Sequence, residues 1–294
     1  MGIKHILKNV TTPELRVKLK KWGRHTKALF KAGKKTSINE LRDVLTGDLG
    51  LRAGDRIVVA SSFGNLNAAD YTPQDVVKLL MEIVTEDGGI MMPYYPPTNS
   101  TVWAKEGRIF DMIETKSGMG VMTNVFSKMP GVVKSVHPTK AVCIWGKDAE
   151  NIAAGHENST TPYYWDSPYG KYLKLGCKSI GLGLQHIPIG HAIEDVLAVS
   201  PSFYYQKEPY SLKVLKSNGE QIDVQTLVHD EKIIDGIMPL RDYVESLQPM
   251  TYQKVKFGMG VLYSVDNTDL FEEMRKAFAK GYTRQTATGK GRIN

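Results

Sequence analysis

The sequence contains 294 residues, of which 41% are hydrophobic and 23% are charged, and its formal net charge is +7. A chain of this length can bury a substantial core as one large domain or two small ones, and its longest apolar runs are too short to span a membrane as a helix. The positive charge lies at the ends. Residues 1–35 carry eleven Lys or Arg and one acidic residue, whereas residues 36–283 carry 24 basic and 30 acidic residues. The basic pI is therefore weak support for nucleic-acid binding, which is not predicted.

The basic N-terminal region has no apolar segment followed by a small-residue cleavage site. No signal peptide is therefore predicted, and a cytoplasmic location is expected. The two cysteines, Cys143 and Cys177, lie far apart and form no CxxC pair, which disfavours a structural zinc site. Without a secretory signal, buried free thiols are favoured over a disulfide. No metal cofactor is expected.

Residues 13–33 predict the first helix, because apolar side chains recur near helical spacing and Lys or Arg fill the other positions. A basic amphipathic helix of this kind can contact an anionic membrane surface. The favoured alternative is that its apolar face packs against the rest of the protein or against a second subunit, as in a homodimer. The expected organisation is a basic extension at 1–35, one domain at 36–283 and a basic tail at 284–294.

Predicted helices and strands alternate from Ser37 to about residue 200. Ser37-Ile38-Asn39-Glu40 has the pattern of a capping box, Arg56–Ser61 is a β-branched run typical of a buried strand, and Thr72-Pro73 has the pattern of a helix start. Further strands are predicted at 90–92, 141–145 and 179–184, and further helices at 118–128, 148–155, 170–175 and 191–199. This alternation predicts an α/β layered fold.

Two longer regions do not follow the alternation. Residues 94–116 contain prolines, Asn and Ser with little periodicity, which predicts a long loop, and loops of that length are usually functional. Residues 203–262 predict a strand-rich portion with a hairpin turn at Ser217-Asn218-Gly219. A final amphipathic helix is predicted at 270–280.

Two polar segments have the composition of anion-binding backbone. The first follows the strand at 56–61, where hydroxyls and a glycine can present N–H groups to an oxyanion or phosphate. The alternative is an ordinary strand-to-loop cap. The second leads into the helix at 118–128, where a helix N-terminus suits an anion, with a serine cap and tight packing as the alternative. The candidate residues are Ser61, Ser62, Phe63, Thr115, Lys116, Ser117, Gly118, Met119 and Gly120.

Four further residues are candidates for catalysis. His191 and Glu194 lie three apart on a predicted helix, and a carboxylate beside an imidazole fixes its tautomer and raises its basicity, as suits a general base. The alternative is a surface ion pair. His137 and His156 lie in polar loops and could meet in a cleft, although structural histidines are the alternative. A GxSxG elbow and an HExxH motif are absent from the sequence, which disfavours an α/β-hydrolase and a zinc protease.

Taken in order, these segments resemble the aminoglycoside 3-N-acetyltransferase family over roughly residues 40–280. The resemblance depends on an ordered set of motifs and on no single one of them. The matching segments are Leu49–Asp55, Val58–Ser62, Asp87–Pro93, Phe110-Asp111, Thr115–Gly120, Pro130–Val132, Ser135–Pro138, Trp145-Gly146, His156, Ser167–Gly170 and His191–Glu194.

The resemblance implies a three-layer α/β/α arrangement around a mixed central sheet, with a strand-rich C-terminal portion. It also implies direct acyl transfer from acetyl-CoA to an amine of an amino sugar, with His191 as general base and Glu194 as its acidic partner. Ser61-Ser62-Phe63 and Thr115–Gly120 would line the CoA site, and His137 and His156 would shape the cleft or orient the acceptor.

The acceptor and the class of protein have alternatives. An amino sugar of surface-polysaccharide or O-antigen biosynthesis is slightly favoured over an aminoglycoside antibiotic, because aminoglycosides are polycations that call for a strongly acidic cleft. Three departures from the family pattern also point away from aminoglycosides: Ala60, Ile187 and the basic extension through residue 35. The alternative of another class is a non-catalytic protein that binds a sugar or a nucleotide.

Overall fold

A seven-stranded mixed sheet forms the centre of the protein, for which a computed structural model describes residues 34–198 and 204–288. A second, three-stranded sheet lies in the C-terminal half. The strands in chain order are β1 (Arg56–Ser61), β2 (Gly89–Pro93), β3 (Phe110–Asp111), β4 (Val133–Lys134), β5 (Val142–Gly146), β6 (Lys178–Leu182), β7 (Tyr210–Leu215), β8 (Gln221–Thr226), β9 (Gln253–Phe257) and β10 (Gly260–Asp266).

The large sheet has the strand order β4-β5-β2-β1-β6-β10-β9, and the small one has the order β3-β7-β8. Strand β1 is parallel to both β2 and β6, and the outer strands of the large sheet are antiparallel to their neighbours. The carboxyl ends of β2, β1 and β6 therefore meet at one edge of the sheet. Ligands of open α/β sheets bind at this edge.

Eleven α-helices surround the sheets in the described residues. They are α1 (Ile38–Asp43), α2 (Phe63–Leu66), α3 (Pro73–Val84), α4 (Ser100–Lys105), α5 (Val121–Phe126), α6 (Ala149–Ala153), α7 (Pro168–Leu175), α8 (Ile189–Leu197), α9 (Glu231–Gly236), α10 (Leu240–Leu247) and α11 (Asn267–Ala279). A π-helical segment, Val44–Asp48, continues α1. Both predicted helix starts are confirmed, since Ser37 and Thr72 each form a capping box and Pro73 is the first residue of α3.

Successive residues of a strand point to opposite sides of the sheet. Because the central strands are apolar on both sides, helices cover both faces of the large sheet. Ile57 and Val59 of β1 belong to one apolar cluster together with α1 and α3, whereas Val58 belongs to a second cluster together with α7, α8 and α11. The predicted three-layer α/β/α arrangement around a mixed sheet is confirmed. Cys143 and Cys177 are buried free thiols, one in each cluster.

The long loop predicted at 94–116 was only partly right, because this segment contains α4 and β3. Helix α4 is capped by Asn99 and buries Trp103, but its six residues are too few to show a period. Strand β3 is defined by pairing Phe110 with Val214, which lies a hundred residues further along the chain. No local pattern of residues could have indicated that pairing.

The strand-rich portion predicted at 203–262 is also corrected in part. The hairpin of β7 and β8 around Ser217-Asn218-Gly219 is confirmed, but helices α9 and α10 follow it. The predicted helix at 13–33 lies outside the described residues. Among the residues that the structure does describe, no helix has the length and apolar character needed to cross a membrane.

Candidate active site

A cleft of about 310 Å³ opens near the carboxyl ends of the parallel strands. The segment after β2 contributes Tyr95, and the segment before α5 contributes Gly118 and Met119. Lys140 lies between β4 and β5, His229 lies between β8 and α9, and Glu231 is the first residue of α9. Elements that are distant in sequence thus build one depression with a mixed polar and apolar lining, which is the arrangement expected of a small-molecule site.

His191 lies in the first turn of α8, which begins at Ile189. It does not line the cleft itself, but its ring lies 5.2 Å from that of His229, which does. The Nδ1 of His191 lies 3.3 Å from an oxygen of Glu194, and the same carboxylate lies 3.1 Å from a guanidinium nitrogen of Arg284. The side chains of Glu194 and Arg284 are almost fully buried, at 2% and 4% exposed. Because a carboxylate only accepts hydrogen bonds, Nδ1 carries the proton and the lone pair of Nε2 is left to accept another.

Burial lowers the pKa of His191, and the hydrogen bond to Glu194 partly opposes that shift. Burial disfavours the charged imidazolium, whereas a neighbouring carboxylate favours it. The net lowering keeps the imidazole neutral at pH 7, with a lone pair that can take a proton. His191 and Glu194 therefore meet, as the sequence predicted, and the imidazole is neutral with a lone pair on Nε2.

Aromatic rings surround His191 on the side of the cleft. The ring of Tyr163 lies 5.5 Å from that of His191 and stacks on His229 at 5.6 Å. His229 lies 5.2 Å from His191 and 4.7 Å from Tyr205. Burial lowers the pKa of His229 well below its usual value and that of His186 to about 4. The histidines of the site are thus neutral at pH 7.

A hydrogen-bond network holds these rings in place. The hydroxyl of Tyr95 lies 3.1 Å from that of Tyr163 and 2.6 Å from that of Tyr169. Behind His229, Asp195 accepts hydrogen bonds from the hydroxyls of Thr161 and Tyr205. Burial raises the pKa of Asp195 to about 7. These groups come from several segments that are distant in sequence, and the hydrogen bonds link them to one another.

Lys140 is the cation of the cleft. Its ammonium lies 4.3 Å from the centre of the Tyr95 ring and 5.9 Å from that of Tyr163. Among the described residues, no carboxylate lies within ion-pair distance of it. Burial lowers the pKa of Lys140 to about 8, so the ammonium is still charged at pH 7.

His137 and His156 meet, but they do so in the core behind the cleft. Their rings lie 4.5 Å apart, and the residues are 2% and 0% exposed. His137 Nδ1 accepts from the backbone of Lys140, and His156 Nδ1 lies 2.8 Å from the hydroxyl of Ser135. The other ring nitrogens donate to Thr226 and to the Pro162 carbonyl, since a carbonyl only accepts.

Burial lowers the pKa of His137 well below its usual value and that of His156 to about 3. Both imidazoles are therefore neutral and have used both nitrogens inside the protein. The geometry favours the structural alternative over a direct contact with an acceptor. Their contribution to the cleft is indirect, because the ring of His137 fixes the backbone that carries Lys140.

Ser61, Ser62 and Phe63 lie at the carboxyl end of β1 and the start of α2, and all three are half-buried. The N–H of Ser62 donates to the Leu182 carbonyl at 2.7 Å, and Ser61 pairs with Leu182 in the ladder. The expected use of the Ser62 N–H by an oxyanion therefore needs correction, because this N–H already has its acceptor.

The segment Thr115–Gly120 is divided between packing and the cleft. Gly118 and Met119 line the cleft, and the N–H of Gly118 donates to the Tyr95 carbonyl. Thr115 accepts from the backbone of Asp111, and the hydroxyl of Ser117 accepts from the backbone of Met119. Lys116 and Gly120 are exposed, and a Cβ added at Gly120 would lie 4.0 Å from the Ser61 carbonyl oxygen. The two predicted CoA-binding segments thus adjoin.

Sequence reasoning missed several groups of the site. Tyr95, Tyr163, His229 and Asp195 come from four separate segments, and only pairing with distant residues brings them together. Arg284 was assigned to a basic tail but is 3% exposed and bound to Glu194. Its position, ninety residues after Glu194, carried no signal. Within the described residues, no group of three potential ligands could hold a metal ion.

Comparisons with known proteins show to which family the chain belongs. A family model described as aminoglycoside 3-N-acetyltransferase matches residues 58–279. The aminoglycoside N(3')-acetyltransferase-like protein YokD, SPbeta prophage-derived, of Bacillus subtilis (strain 168) is 26% identical over 141 residues, which cover 41% of this chain and 52% of that protein. The chain spans about half the length of the curated relatives it matches.

Solved structures extend the similarity over most of the chain. The crystal structure of aminoglycoside acetyltransferase AAC(3)-Xa has a TM-score of 0.72 at 18% identity and covers 88% of this chain and 98% of that one. A binary complex of AAC-IIIb with CoASH has a TM-score of 0.66 at 18% identity, with 84% and 98% covered. These likenesses show a shared fold. Because the family model matches more than half of the chain, this protein belongs to the aminoglycoside 3-N-acetyltransferase family.

Proposed function

We propose that this protein is an acetyl-CoA-dependent N-acetyltransferase that acetylates an amine of an amino sugar. One observation carries the proposal: a neutral histidine, His191, is oriented by the buried carboxylate of Glu194 at the edge where the parallel strands end. A protein that only binds a sugar or a nucleotide needs no such base. Family membership supports the same chemistry.

The donor is proposed to be acetyl-CoA. A relative of the same fold has been solved with CoASH, which supports a CoA thioester here. Gly118 and Met119 line the cleft, and their segment adjoins Ser61. We therefore propose that Ser61–Phe63 and Thr115–Gly120 border the bound donor, by shape and backbone contacts. The N–H of Ser62 is not part of that proposal.

Two acceptor classes were predicted, and the comparisons favour the second. The matched family and the relatives named above carry aminoglycoside acetylation in their names, and none names a surface-polysaccharide precursor. An aminoglycoside-type amino sugar is therefore the acceptor class that the proposed function adopts. The polysaccharide alternative has no support here beyond the sequence prediction.

The proposed mechanism is direct transfer. Nε2 of His191 takes a proton from the acceptor amine as its nitrogen forms a bond to the thioester carbonyl carbon, and the C–S bond then breaks to release CoA. Glu194 stabilises the imidazolium that forms, and Arg284 holds the carboxylate in place. A positioned base of this kind contributes roughly 10²–10⁴-fold to the rate.

The test is acetyl transfer by purified wild-type protein and His191→Ala, together with calorimetric titration of acetyl-CoA. We expect both proteins to bind acetyl-CoA with similar affinity and the variant to lose at least about 10²-fold in kcat. Thermal unfolding checks that the variant is folded. Failure of the wild type to bind acetyl-CoA would overturn the proposed function, and full activity of the variant would overturn the role of His191.

A further inference from the structure

Lys140 is a cation with no anion within ion-pair distance, in a cleft whose described lining has one other charged side chain, the exposed Glu231. Its ammonium lies over the ring of Tyr95 at 4.3 Å, and the described residues place no carboxylate within ion-pair distance of it. Removing a charge from water costs free energy unless a partner of opposite charge is supplied. A ring face offsets part of that cost. The remaining hydrogen-bond donors of the ammonium are open to a ligand.

The carboxylates near the cleft do not neutralise Lys140. Glu194 is bound by Arg284 and His191, and Asp195 is bound by Thr161 and Tyr205. Among the described residues that line the cleft, Glu231 has the only carboxylate, and it is exposed in the first turn of α9. A polycationic acceptor would meet one exposed carboxylate and a fixed positive charge.

We propose that Lys140 binds an anionic group of the acceptor, so that the cleft selects amines that carry a phosphate or a carboxylate. This inference rests on the proposed acetyl transfer to an amino sugar, and it departs from the polycationic aminoglycoside-type acceptor, because the described lining of the cleft holds Lys140 and only one exposed carboxylate. The buried ring of Tyr163 lies near both ends of such a site, 5.9 Å from the Lys140 ammonium and 5.5 Å from the His191 ring. The amine would sit at His191 and the anion at Lys140.

A matched pair of acceptors tests the proposal in the wild type. Glucosamine and glucosamine 6-phosphate have the same amine and differ by one phosphate. Because a hydrogen bond to a charged group is strong, we expect kcat/KM to be about 10- to 100-fold higher for the phosphate ester. A carboxylate arm uses glucosamine and its uronic acid counterpart. Equal kcat/KM for the members of both pairs would overturn the proposal.

Three variants locate the preference at Lys140. Lys140→Met should remove the preference for the phosphate ester, whereas Lys140→Arg should keep most of it. Lys140→Glu should reverse the charge and raise kcat/KM for gentamicin, a polycation. In a binding titration with glucosamine 6-phosphate, Lys140→Met should bind the ligand more weakly than the wild type, and Lys140→Arg should bind it nearly as well. A preference that survives in both the Met and the Glu variant would place the anion elsewhere and sink the proposal.

The pH dependence gives an independent readout. Lys140 loses its charge above its pKa of about 8, so the preference of the wild type should shrink between pH 7.5 and 9.5 and persist in Lys140→Arg. The preference is measured as the ratio of kcat/KM for glucosamine 6-phosphate to kcat/KM for glucosamine. Both acceptors carry the same amine, so its titration cancels in this ratio. The ionisable neighbours of Lys140 do not titrate in this range, because burial keeps the histidines neutral and the phenols protonated; these are His137, His186, His191, His229, Tyr95 and Tyr163.

The failure of this inference is distinguishable from failure of the proposed function. If no amine is acetylated and acetyl-CoA does not bind, the proposed function is wrong, and binding of glucosamine 6-phosphate to wild type but not to Lys140→Met would still support the anion site. If acetylation occurs with no preference, the proposed function stands and the role of Lys140 is overturned.

Discussion

At the scale of single residues, the site depends on opposing effects on His191. Burial alone would make the imidazole a weak base, and Glu194 restores part of its basicity through a hydrogen bond of 3.3 Å. Arg284 in turn offsets the free-energy cost of burying Glu194, since an unpaired carboxylate in the core is strongly destabilising. The three side chains therefore act as one unit: Arg284 binds Glu194, and Glu194 orients the neutral imidazole of His191.

Glu194→Gln should weaken the base and the fold together. Losing the carboxylate charge lowers the pKa of His191 further, so we expect kcat to fall by about tenfold or more, as part of the roughly 10²–10⁴-fold contributed by a positioned base. The acid limb of the pH profile of kcat/KM should move to lower pH. Arg284 would be left as a buried unpaired cation, which should reduce the free energy of unfolding by about 3–5 kcal/mol.

A matched control for this variant is Glu245→Gln. Glu245 also pairs with a cation, Lys254 at 2.6 Å, but both side chains are at least one third exposed. Such a surface pair contributes about 0–1 kcal/mol. Kinetics across pH and urea unfolding of both variants make the comparison. An unchanged acid limb in Glu194→Gln would mean that Glu194 does not tune His191.

Asp195 should make stability depend on pH in an unusual direction. Burial raises its pKa from 3.8 to about 7 in the folded state, so between these values the folded protein binds a proton that the unfolded chain has lost. The free energy of unfolding should therefore fall as pH rises from about 4 to 7, by at most about 1.4 kcal/mol per pH unit from this group.

Asp195→Asn should remove this dependence while keeping an oxygen that accepts from Thr161 and Tyr205. Urea unfolding at pH 5 and pH 7 measures it: the stability of the wild type relative to the variant should decrease as pH rises. If the free energies of unfolding of the wild type and Asp195→Asn differed by the same amount at pH 5 and pH 7, that would contradict a raised pKa for Asp195.

At the scale of elements, the segments that follow three parallel strands carry residues of the site. Strand β2 leads to Tyr95, β1 leads to Ser61 and Ser62, and the segment after β6 leads to His186 and then α8. The hydroxyl of Tyr263 on β10 donates to the His186 carbonyl and so holds this last segment. The position of His191 therefore depends on the packing between β6 and β10.

Gly181→Ala tests this dependence. Gly181 lies in β6 under the ring of Tyr263, and an added Cβ would lie 1.9 Å from a ring carbon. Because Tyr263 is fully buried, the ring has little room to move, and overpacking of this kind costs about 1–3 kcal/mol. We expect a lower melting temperature and a loss of acetyl transfer, because the displaced ring no longer holds the segment before His191.

The control is Gly47→Ala, where an added Cβ meets nothing within 4 Å and φ is not positive. It should leave melting temperature and activity close to those of the wild type. If Gly181→Ala behaved in the same way, the contact between β6 and Tyr263 would not position the site.

The sequence predicted those parts of the fold that are encoded locally. The capping boxes at Ser37 and Thr72 are contained within four residues, and β1 is one β-branched run. His191 and Glu194 could be paired because they lie three apart on one helix. Arg284 and His229 could not be added, because their contacts with the site form only when distant segments pack. The buried positions of His137 and His156 were missed for the same reason.

At the scale of the whole molecule, Arg284 is packed into the domain. Arg284 binds Glu194, and its backbone and side chain also bond to the backbone of Met238. We therefore propose that the domain extends through Arg284 and does not end at residue 283. The positive charge of Arg284 is used inside the protein, so the basic character of the chain is concentrated in residues 1–35 even more than the sequence indicated.

The basic extension at residues 1–35 should not be needed for acetyl transfer. Every residue assigned to the site lies between Ser61 and Arg284, so a chain that starts at Lys34 should keep its melting temperature and its kcat/KM for acetyl transfer. If residues 13–33 form a membrane-binding helix, the full chain should bind vesicles containing anionic lipid and release them at high salt, because such binding is largely electrostatic, while the shortened chain should not bind. If the helix instead packs on a second subunit, sedimentation should show a dimer only for the full chain. A shortened chain that loses activity as a monomer would mean that residues before Lys34 contribute to the site itself.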